Sequence, residues 1–511
     1  MESDKGKPMK STTLLPKWEL VVCYTLWIGN SVCVWYAVWV ASMAFEATLK
    51  YGYFKPGWSL LNHRSRDSTD GEWEIWFAVL PTELFTLLLH FISFNLVERF
   101  CAGRIKKAIM KTMIWICILW INMGWMGVLA TFIHAALMLV VARLVPSKLA
   151  VWMYAALVMR NLHYNWYHFP AGHTHFSLYR LHTCISYKLL HFISFCTHDI
   201  DTRRKAKTKE EEGQKGLGVH GGFFTAYCAL LHYALYPPYS YCLIVTYSDF
   251  EQQWNNRRSV NPDYARLFSM AVRVMIWTAV TDFLPHYFHF SAIMINASLL
   301  STLDLFTLWS IGSATGQYFH IKYVSIFGLS TLFATLDGMT PPDWPPICVS
   351  RVVLYSNMWR HFDRGLYAFI REQIFLPVAK PGSTTCRRVL GSLTCFGFVL
   401  VWHGWTSGIV CWVAINFVEV TLENVVRTIY RLPAVYGLVN SKLSPVNVRR
   451  VRALVQAPCG LMGTFAIFYF FGGKQAGDVF VNQLVLRGWP LFLLLIYKYS
   501  VAQCSFEIEK N

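Results

Sequence analysis

His403 is the residue whose type and surroundings point most directly to acid–base chemistry. It lies in the apolar stretch 395–412, which reads Cys-Phe-Gly-Phe-Val-Leu-Val-Trp-His-Gly-Trp-Thr-Ser-Gly-Ile-Val-Cys-Trp. An ionisable side chain at membrane depth costs free energy, so its presence predicts a functional site. Imidazole exchanges protons near neutral pH because its unperturbed pKa is about 6.5. His403 is therefore a candidate general base, although the same sequence also fits a core histidine bonded to a carbonyl.

Asp363 is the second candidate. It lies in the segment 355–369, which we predict to be an amphipathic helix at the membrane interface, because its apolar residues recur at helical spacing. The preceding proline-rich segment 337–346 cannot continue a helix and predicts an extended loop. On this helix alone, Asp363 would be an ordinary carboxylate, either solvated or paired with arginine.

The composition is that of an integral membrane protein. The chain has 511 residues, of which 55% are hydrophobic, 16% aromatic and only 15% charged. A spanning helix needs about 20 predominantly apolar residues, and the apolar runs predict about ten to twelve membrane segments. Some runs, such as 461–471, are too short to span, and half-spanning backbone persists only where protein or water satisfies it. We therefore predict an all-α integral membrane protein with re-entrant segments and an internal cavity.

Basic residues at the segment ends set the predicted topology. The formal charge is +17, from 46 basic and 29 acidic residues. The positive-inside rule places the polar segment 1–18, which shows no removable signal peptide, in the cytosol. A single transmembrane domain then covers 19–511, with a polar loop at 199–220. Because the charges flank apolar helices, they favour contact with anionic membrane lipids and argue against nucleic-acid binding.

The cysteines and most of the histidines do not form a recognisable metal motif. The fourteen cysteines are scattered through apolar segments, and no Cys-x-x-Cys occurs, so neither a zinc site nor a disulfide framework is predicted. Residues 160–220 contain eight histidines, but no acidic partner lies near His173 and His175, and a metal site needs three or four convergent ligands. The role of this histidine-rich segment stays open at this stage.

The segments around the two candidates together resemble a known superfamily. The run Asn-Met-Trp-Arg-His-Phe-Asp-Arg-Gly-Leu-Tyr-Ala-Phe at 357–369 is followed, forty residues after Asp363, by Val-Trp-His-Gly at 401–404. Next comes Asn-Phe-Val-Glu-Val-Thr-Leu-Glu-Asn at 416–424. This combination resembles the membrane-bound O-acyltransferase superfamily, and within it the branch that attaches palmitate to the N-terminal cysteine of proteins. The similarity extends over nearly the whole chain, with its specific motifs mainly between 318 and 424.

The resemblance implies a multi-helix bundle around a central tunnel, with a catalytic core at about 318–430, in the membrane of the endoplasmic reticulum or also the Golgi. It implies transfer of palmitate from palmitoyl-CoA to the N-terminal cysteine of a Hedgehog-type secreted protein. It also implies roles for individual residues: His403 and Asp363 as the catalytic pair, Trp359, Trp402, Arg360 and Asn416 in substrate binding, and Cys348 as the ligand of an optional haem b iron.

One segment departs from the family pattern and keeps other functions open. Where the family commonly has Gly-Pro-Ile, residues 236–244 read Tyr-Pro-Pro-Tyr-Ser-Tyr-Cys-Leu-Ile. One alternative is an enzyme of the same superfamily that acylates a lysolipid or a sterol. A second is a non-catalytic membrane scaffold, against which the retained Trp402-His403-Gly404 argues. A transporter comes third, since no internal repeat is visible.

The chemistry of amide formation gives His403 a defined task. An α-amino group has a pKa of about 7.7 to 8.0, so it is largely protonated at neutral pH and needs a base before it can attack a thioester. His403 is predicted to accept the proton, and Asp363 to hold the ammonium or assist the transfer. Direct attack by the amine and attack by the thiol followed by S-to-N transfer remain equally compatible with the sequence.

Overall fold

The computed structural model describes residues 15–164, 175–211, 222–257 and 263–509, and within them the protein is almost entirely helical. The single sheet is a short antiparallel hairpin of β1 (Phe54–Lys55) and β2 (Arg66–Asp67). The α-helices are α1 Lys17–Tyr53, α2 Gly71–Phe100, α3 Arg104–Leu144, α4 Lys148–Tyr164, α5 His175–Glu211, α6 Phe223–Ala234, α7 Tyr247–Asn256, α8 Tyr264–Phe283, α9 Phe290–Met294, α10 Ala297–Thr302, α11 Leu305–Leu336, α12 Tyr355–His361, α13 Arg364–Ile370, α14 Leu376–Val378, α15 Thr385–His403, α16 Ser407–Tyr430, α17 Pro433–Lys442, α18 Pro445–Val481 and α19 Trp489–Ile508. The predicted all-α class is confirmed.

Nine helices in the described part of the chain are long and apolar enough to cross a membrane. They are α1, α2, α3, α8, α11, α15, α16, α18 and α19. The predicted number was about ten to twelve, and glycine kinks explain part of the difference. α3 continues for 41 residues through Gly124 and α18 for 37 residues through Gly473, both at positive φ, which glycine adopts without steric cost. Runs that we predicted as separate or too short, including 461–471, therefore lie within single kinked helices.

The first residues of α1 and of α18 meet on one face of the bundle. Glu19, near the start of α1, forms an ion pair with Arg450 near the start of α18, with 2.5 Å between Glu19 Oε2 and Arg450 Nη2. This contact places the amino-terminal end of α1 beside the basic segment 442–452. The positive-inside rule predicts that this face lies toward the cytosol. Residues 1–14 of the predicted cytosolic segment 1–18 lie outside the described residues.

The prediction of a polar loop at 199–220 is wrong for residues 199–211, which are helical. α5 continues as a helix to Glu211, and residues 212–220 lie outside the described ranges. Charge pairing explains why a polar sequence stays helical here. Asp199 forms an ion pair with Arg203 one turn later, at 3.0 Å, and another with Arg143 at the end of α3, at 3.1 Å. Arg143 Nη2 also donates a hydrogen bond to Asp199 Oδ1 at 3.2 Å. Opposite charges four residues apart on a helix stabilise it, and the bond to α3 fixes the helix in place.

A buried polar network anchors the segment that departs from the family pattern. Tyr236 donates to Asp337 Oδ2 at 2.6 Å, and His90 Nε2 donates to the same oxygen at 2.7 Å. Trp115 Nε1 donates to His90 Nδ1 at 3.0 Å, which fixes the tautomer of that histidine. All four side chains are buried. Such a connected network ties α2, α3, the 236–244 segment and the end of α11 into one unit, on which the candidate site is built.

Candidate active site

His403 is the last residue of α15, and its exposed side chain contacts two aromatic rings. Gly404 follows at φ +94°, so the chain leaves the helix sharply before α16 begins at Ser407. The rings of Trp412 and Phe470 meet the imidazole edge-on, with centroids at 5.2 Å and 5.3 Å. The side chain stays exposed despite these two contacts. A ligand can therefore reach the imidazole.

Asp363 lies between two short helices, not within one continuous helix as we predicted. α12 ends at His361 and α13 begins at Arg364, with Asp363 as its N-cap. The Asp363 carboxylate accepts a hydrogen bond from the backbone N–H of Leu366 at 2.8 Å. Aspartate is among the best N-cap residues because its side chain satisfies an amide that has no partner in the helix. This local bond competes with the helical periodicity and breaks the helix at Asp363.

Burial changes the acidity of Asp363. Removal of the carboxyl group from water raises its pKa to about 6, and the backbone N–H groups of Leu366 and Gly365 partly offset that rise. The carboxyl group faces a narrow cleft with a volume of about 10 Å³, enough for roughly one water molecule. Ile244 and Phe362 are among the residues that line this cleft.

The two predicted catalytic residues lie near one aromatic cluster without touching each other. No hydrogen bond or ion pair joins Asp363 to His403. Phe362, next to Asp363, stacks on Phe319 at 5.0 Å, and Phe319 lies 6.5 Å from Phe470, which packs on His403. An aromatic path therefore connects the surroundings of the two side chains. Their role as a catalytic pair stays a prediction.

Trp359 and Asn416 are held together. Trp359 Nε1 donates to Asn416 Oδ1 at 3.2 Å, while Asn416 Nδ2 donates to the carbonyl of Trp412 at 2.6 Å. The Trp359 ring packs at 5.9 Å from that of Trp412. Because Trp412 also packs on His403, Trp359 and Asn416 belong to the surroundings of the histidine. Glu423, two turns further along α16, accepts from the backbone N–H of Tyr355 at 2.6 Å and thereby caps α12.

Arg360 and Trp402 lie in different surroundings. Arg360 is exposed and lies close enough to Arg427 on α16 to interact with it electrostatically. It therefore contributes to a positively charged rim. Trp402 packs on Tyr187 of α5, with ring centroids at 5.5 Å, and on Phe398 at 6.0 Å. Trp402 thus shares none of the ring contacts of Trp359.

Cys348 lies at the start of a one-turn 3₁₀ helix, Val349–Arg351, as a half-buried free thiol. This turn packs against α19, and the sulfur is near Tyr497. In the described ranges of the chain, histidine, cysteine, aspartate and glutamate form no group of three that could hold a metal ion. A single cysteine sulfur could hold a haem iron but not an ion that needs several protein ligands.

Sequence reasoning missed His163 and Phe470. His163, in the last turn of α4, has its Nε2 3.1 Å from the carbonyl of Val401, 238 residues later in the chain. Its ring lies 4.9 Å from that of His182 on α5. The histidine-rich composition of 160–220 was a signal for this region, but no spacing rule could show that His163 approaches α15. Phe470 lies in the short apolar run 461–471, in which no single aromatic residue stands out.

A second, wider cleft lies on the other side of Phe470. It has a volume of about 200 Å³ and is lined by Phe470, Asp70, Glu72 and Lys322, among other residues. Lys322 Nζ lies 2.9 Å from Asp70 and 2.8 Å from Glu72, so its charge is balanced. Phe470 therefore borders this cleft on the one hand and contacts His403 on the other.

Similarity to known proteins extends along almost the whole chain. Residues 219–462, which include both Asp363 and His403, match the membrane-bound O-acyltransferase family. The chain is 27% identical over 506 residues to the protein-cysteine N-palmitoyltransferase HHAT of Mus musculus, which covers 95% of this chain and 97% of that relative. It is 25% identical to the protein-cysteine N-palmitoyltransferase Rasp of Drosophila melanogaster, covering 96% and 95%. It is 22% identical to the membrane-bound O-acyltransferase GUP1 of Candida tropicalis, covering 68% and 63%.

Proposed function

Since the chain belongs to the membrane-bound O-acyltransferase family, we propose that it transfers palmitate from palmitoyl-CoA to the N-terminal cysteine of Hedgehog-type secreted proteins. The product is an amide. The observation that carries the proposal is an exposed imidazole, His403, at the end of an apolar helix long enough to span a membrane and in contact with two aromatic rings. The similarity to two protein-cysteine N-palmitoyltransferases over about 95% of the chain supports the choice of substrates.

The mechanism that we propose assigns the proton of the attacking amine to His403. The nitrogen lone pair of the acceptor adds to the thioester carbonyl, a C–N bond forms, and the C–S bond to coenzyme A breaks. His403 accepts the N–H proton during the attack and returns it to the departing thiolate, so that charge balances. Trp412 and Phe470 restrict the imidazole on two sides, which reduces the freedom it would lose on reaching the reactive geometry.

The acyl donor is proposed to approach along α16 from the basic face. Arg427 near the end of this helix lies close to Arg360 and Arg431, and such a positive group suits the phosphates of coenzyme A. Trp412 precedes Arg427 by 15 residues, a distance of about 22 Å along a helix. Asn416 and Trp359 lie between them, where they would position the thioester. The palmitoyl chain would gain about 0.8 kcal/mol for each methylene that it buries.

Asp363 is proposed to hold the positively charged amine before His403 acts. Its carboxyl group must then be ionised, and with a pKa raised to about 6 it loses this charge as the pH falls below that value. We expect palmitoyl transfer to decrease on the acid side of about pH 6. In the Asp363→Asn variant we expect transfer to fall about 100-fold, with this acid-side dependence lost. Initial rates measured across the pH range for both proteins check this expectation.

The same substitution is expected to separate activity from stability. The folded-state pKa of Asp363 lies above its ordinary value, so ionisation costs stability as the pH rises through about 4 to 6. Asparagine can still cap α13 but carries no charge. Asp363→Asn should therefore unfold at a temperature equal to or above that of the wild type at pH 7.5, with the difference shrinking at pH 5. A lower unfolding temperature of the variant at pH 7.5 would contradict the claim that the ionised Asp363 carboxylate destabilises the folded protein.

The proposed place of action is the endoplasmic reticulum membrane, with the Golgi as a second compartment, since the acceptor is a secreted protein. The nine apolar helices support a multi-pass position in the membrane. Contact with anionic lipids is proposed for the basic segment ends.

Haem b is a proposed additional ligand of Cys348. The Cys348 thiolate would hold the haem iron, and no step of the transfer requires the group. We expect the purified protein to show a haem absorbance band that the Cys348→Ser variant lacks. The matched control is Cys386→Ser, which removes an exposed thiol at the start of α15. The assignment would be wrong if the wild type showed no band, or if Cys348→Ser kept it.

Acceptor competition separates this function from its alternatives. Purified protein is incubated with labelled palmitoyl-CoA and a Hedgehog N-terminal peptide, a lysophospholipid or a sterol. We expect label on the peptide alone, and none on a peptide whose amine is acetylated. Label on the lysophospholipid or the sterol would instead indicate a lipid acyltransferase of the same family, and no label on any acceptor would indicate a scaffold.

A further inference from the structure

The carboxy-terminal end of α15 is held by a histidine from a distant part of the chain. His163 Nε2 lies 3.1 Å from the carbonyl of Val401. Because α15 ends at His403, the Val401 carbonyl lies in the last turn, where helical carbonyls lack partners within the helix. A carbonyl only accepts, so His163 donates from Nε2–H. In its neutral form the ring then carries its free lone pair on Nδ1.

This Nδ1 atom faces the chain at His403. A Cβ atom on Gly404 would lie 3.7 Å from His163 Nδ1, so the nitrogen is next to the peptide that follows His403. The two imidazoles are also close enough to interact electrostatically. Titratable groups close to His163 include His403 at the end of α15 and His182 on α5. His163 Nδ1 is therefore a second proton-accepting nitrogen close to His403.

The proposed reaction requires two proton-accepting groups in the protein. At pH 6.5 only about 5% of an α-amino group with a pKa near 7.8 is free amine, so most acceptor arrives as ammonium. The ammonium must lose one proton before the nitrogen has a lone pair, and a second proton when it forms the amide. The departing coenzyme A thiolate takes up only one of them. The other proton must leave the site for water, and His403 must be neutral again before the attack.

We propose that His163 is a proton-relay residue. It receives the ammonium proton from His403 through one water molecule and passes this proton to solvent. This inference rests on the proposed transfer to an N-terminal amine. The ammonium N–H bond breaks, the proton moves from His403 to His163 Nδ1, and the neutral amine then attacks. His403 accepts the second proton and gives it to the thiolate. Every proton is accounted for without a further reactant.

The relay predicts a pH-dependent defect. His163→Gln keeps an N–H donor for the Val401 carbonyl but cannot accept a proton. We expect kcat for peptide palmitoylation to fall about tenfold at pH 6.5, where the acceptor is mostly ammonium, with the KM for palmitoyl-CoA unchanged. At pH 9, where about 90% of the amine is already free, we expect the defect to shrink below about twofold. His403→Gln should stay impaired at both pH values, because the second proton still needs a base.

A matched control excludes a general effect of losing a histidine. His134→Gln replaces an imidazole on α3 that bonds to Tyr154 on α4 through Nδ1, at 2.8 Å. We expect its pH profile to follow that of the wild type. Wild-type rates in His163→Gln at pH 6.5 would overturn the relay, and so would a loss that is equal at both pH values, which would indicate a structural role. A wild type without peptide palmitoylation would instead overturn the proposed function, so the two failures are distinguishable.

Discussion

Replacement of His403 by alanine is expected to reduce palmitoyl transfer by about 10³-fold, with binding of palmitoyl-CoA retained. General base catalysis contributes about 10²- to 10⁴-fold, and this imidazole is the titratable group that the Trp412 and Phe470 rings enclose. The two rings can pack against a smaller side chain, so the helix end should remain folded. Single-turnover rates measure the effect on chemistry apart from substrate binding.

His403→Gln and the thermal unfolding temperature provide the controls for this prediction. Glutamine retains size and polarity but cannot act as a base near neutral pH, so we expect it to be nearly as inactive as alanine. Unfolding temperatures within a few degrees of the wild type would show that chemistry was lost and not the fold. Transfer by His403→Ala at more than a tenth of the wild-type rate would remove the histidine from the mechanism.

The second large effect is expected at Gly365, two residues after Asp363. A Cβ atom there would lie far inside van der Waals contact of the Ile244 carbonyl oxygen, which is backbone and cannot rotate away. Gly365→Ala must therefore displace the Asp363 turn or the 236–244 segment. Overpacking of this kind costs about 1 to 3 kcal/mol. We expect Gly365→Ala to lower the unfolding temperature and to reduce transfer at least tenfold.

Gly397→Ala is the matched control, because a Cβ atom at Gly397 would meet nothing within 4 Å. This glycine lies inside α15, where alanine has the higher helix propensity. We expect wild-type transfer and an equal or slightly higher unfolding temperature. If Gly365→Ala and Gly397→Ala had the same transfer rate and the same unfolding temperature, the Asp363 turn would not be closely packed on Ile244.

The sequence was a good guide to the fold class and to individual polar residues. Long apolar runs require helices in a membrane because each backbone group must find its partner within the same segment. An imidazole inside such a run is easy to recognise as a candidate, because a polar side chain at membrane depth costs free energy. His403 does lie at the end of a helix that is long and apolar enough to span a membrane. The number of spans was harder to predict, since Gly124 and Gly473 allow sharp kinks that composition alone cannot distinguish from helix ends.

Contacts between distant segments account for most of what the sequence could not show. Apolar periodicity continues through 355–369, so the break at Asp363 depends on a capping bond that competes with it. The same limit applies to His163, whose bond to Val401 joins residues 238 positions apart. It applies equally to Tyr236, which reads as a departure from a family pattern but proves to anchor Asp337. Each of these depends on tertiary packing, which local patterns do not encode.

The most direct test of the proposed function is the chemical identity of the product. The purified protein is incubated with palmitoyl-CoA and a peptide that begins with cysteine, and the modified peptide is sequenced by mass spectrometry after hydroxylamine treatment. We predict one palmitoyl group on the α-nitrogen of the first residue, resistant to hydroxylamine, and none when the His403→Ala variant replaces the wild type. Palmitate on a side chain that hydroxylamine removes, or equal modification by the variant, would contradict N-terminal acyl transfer through His403.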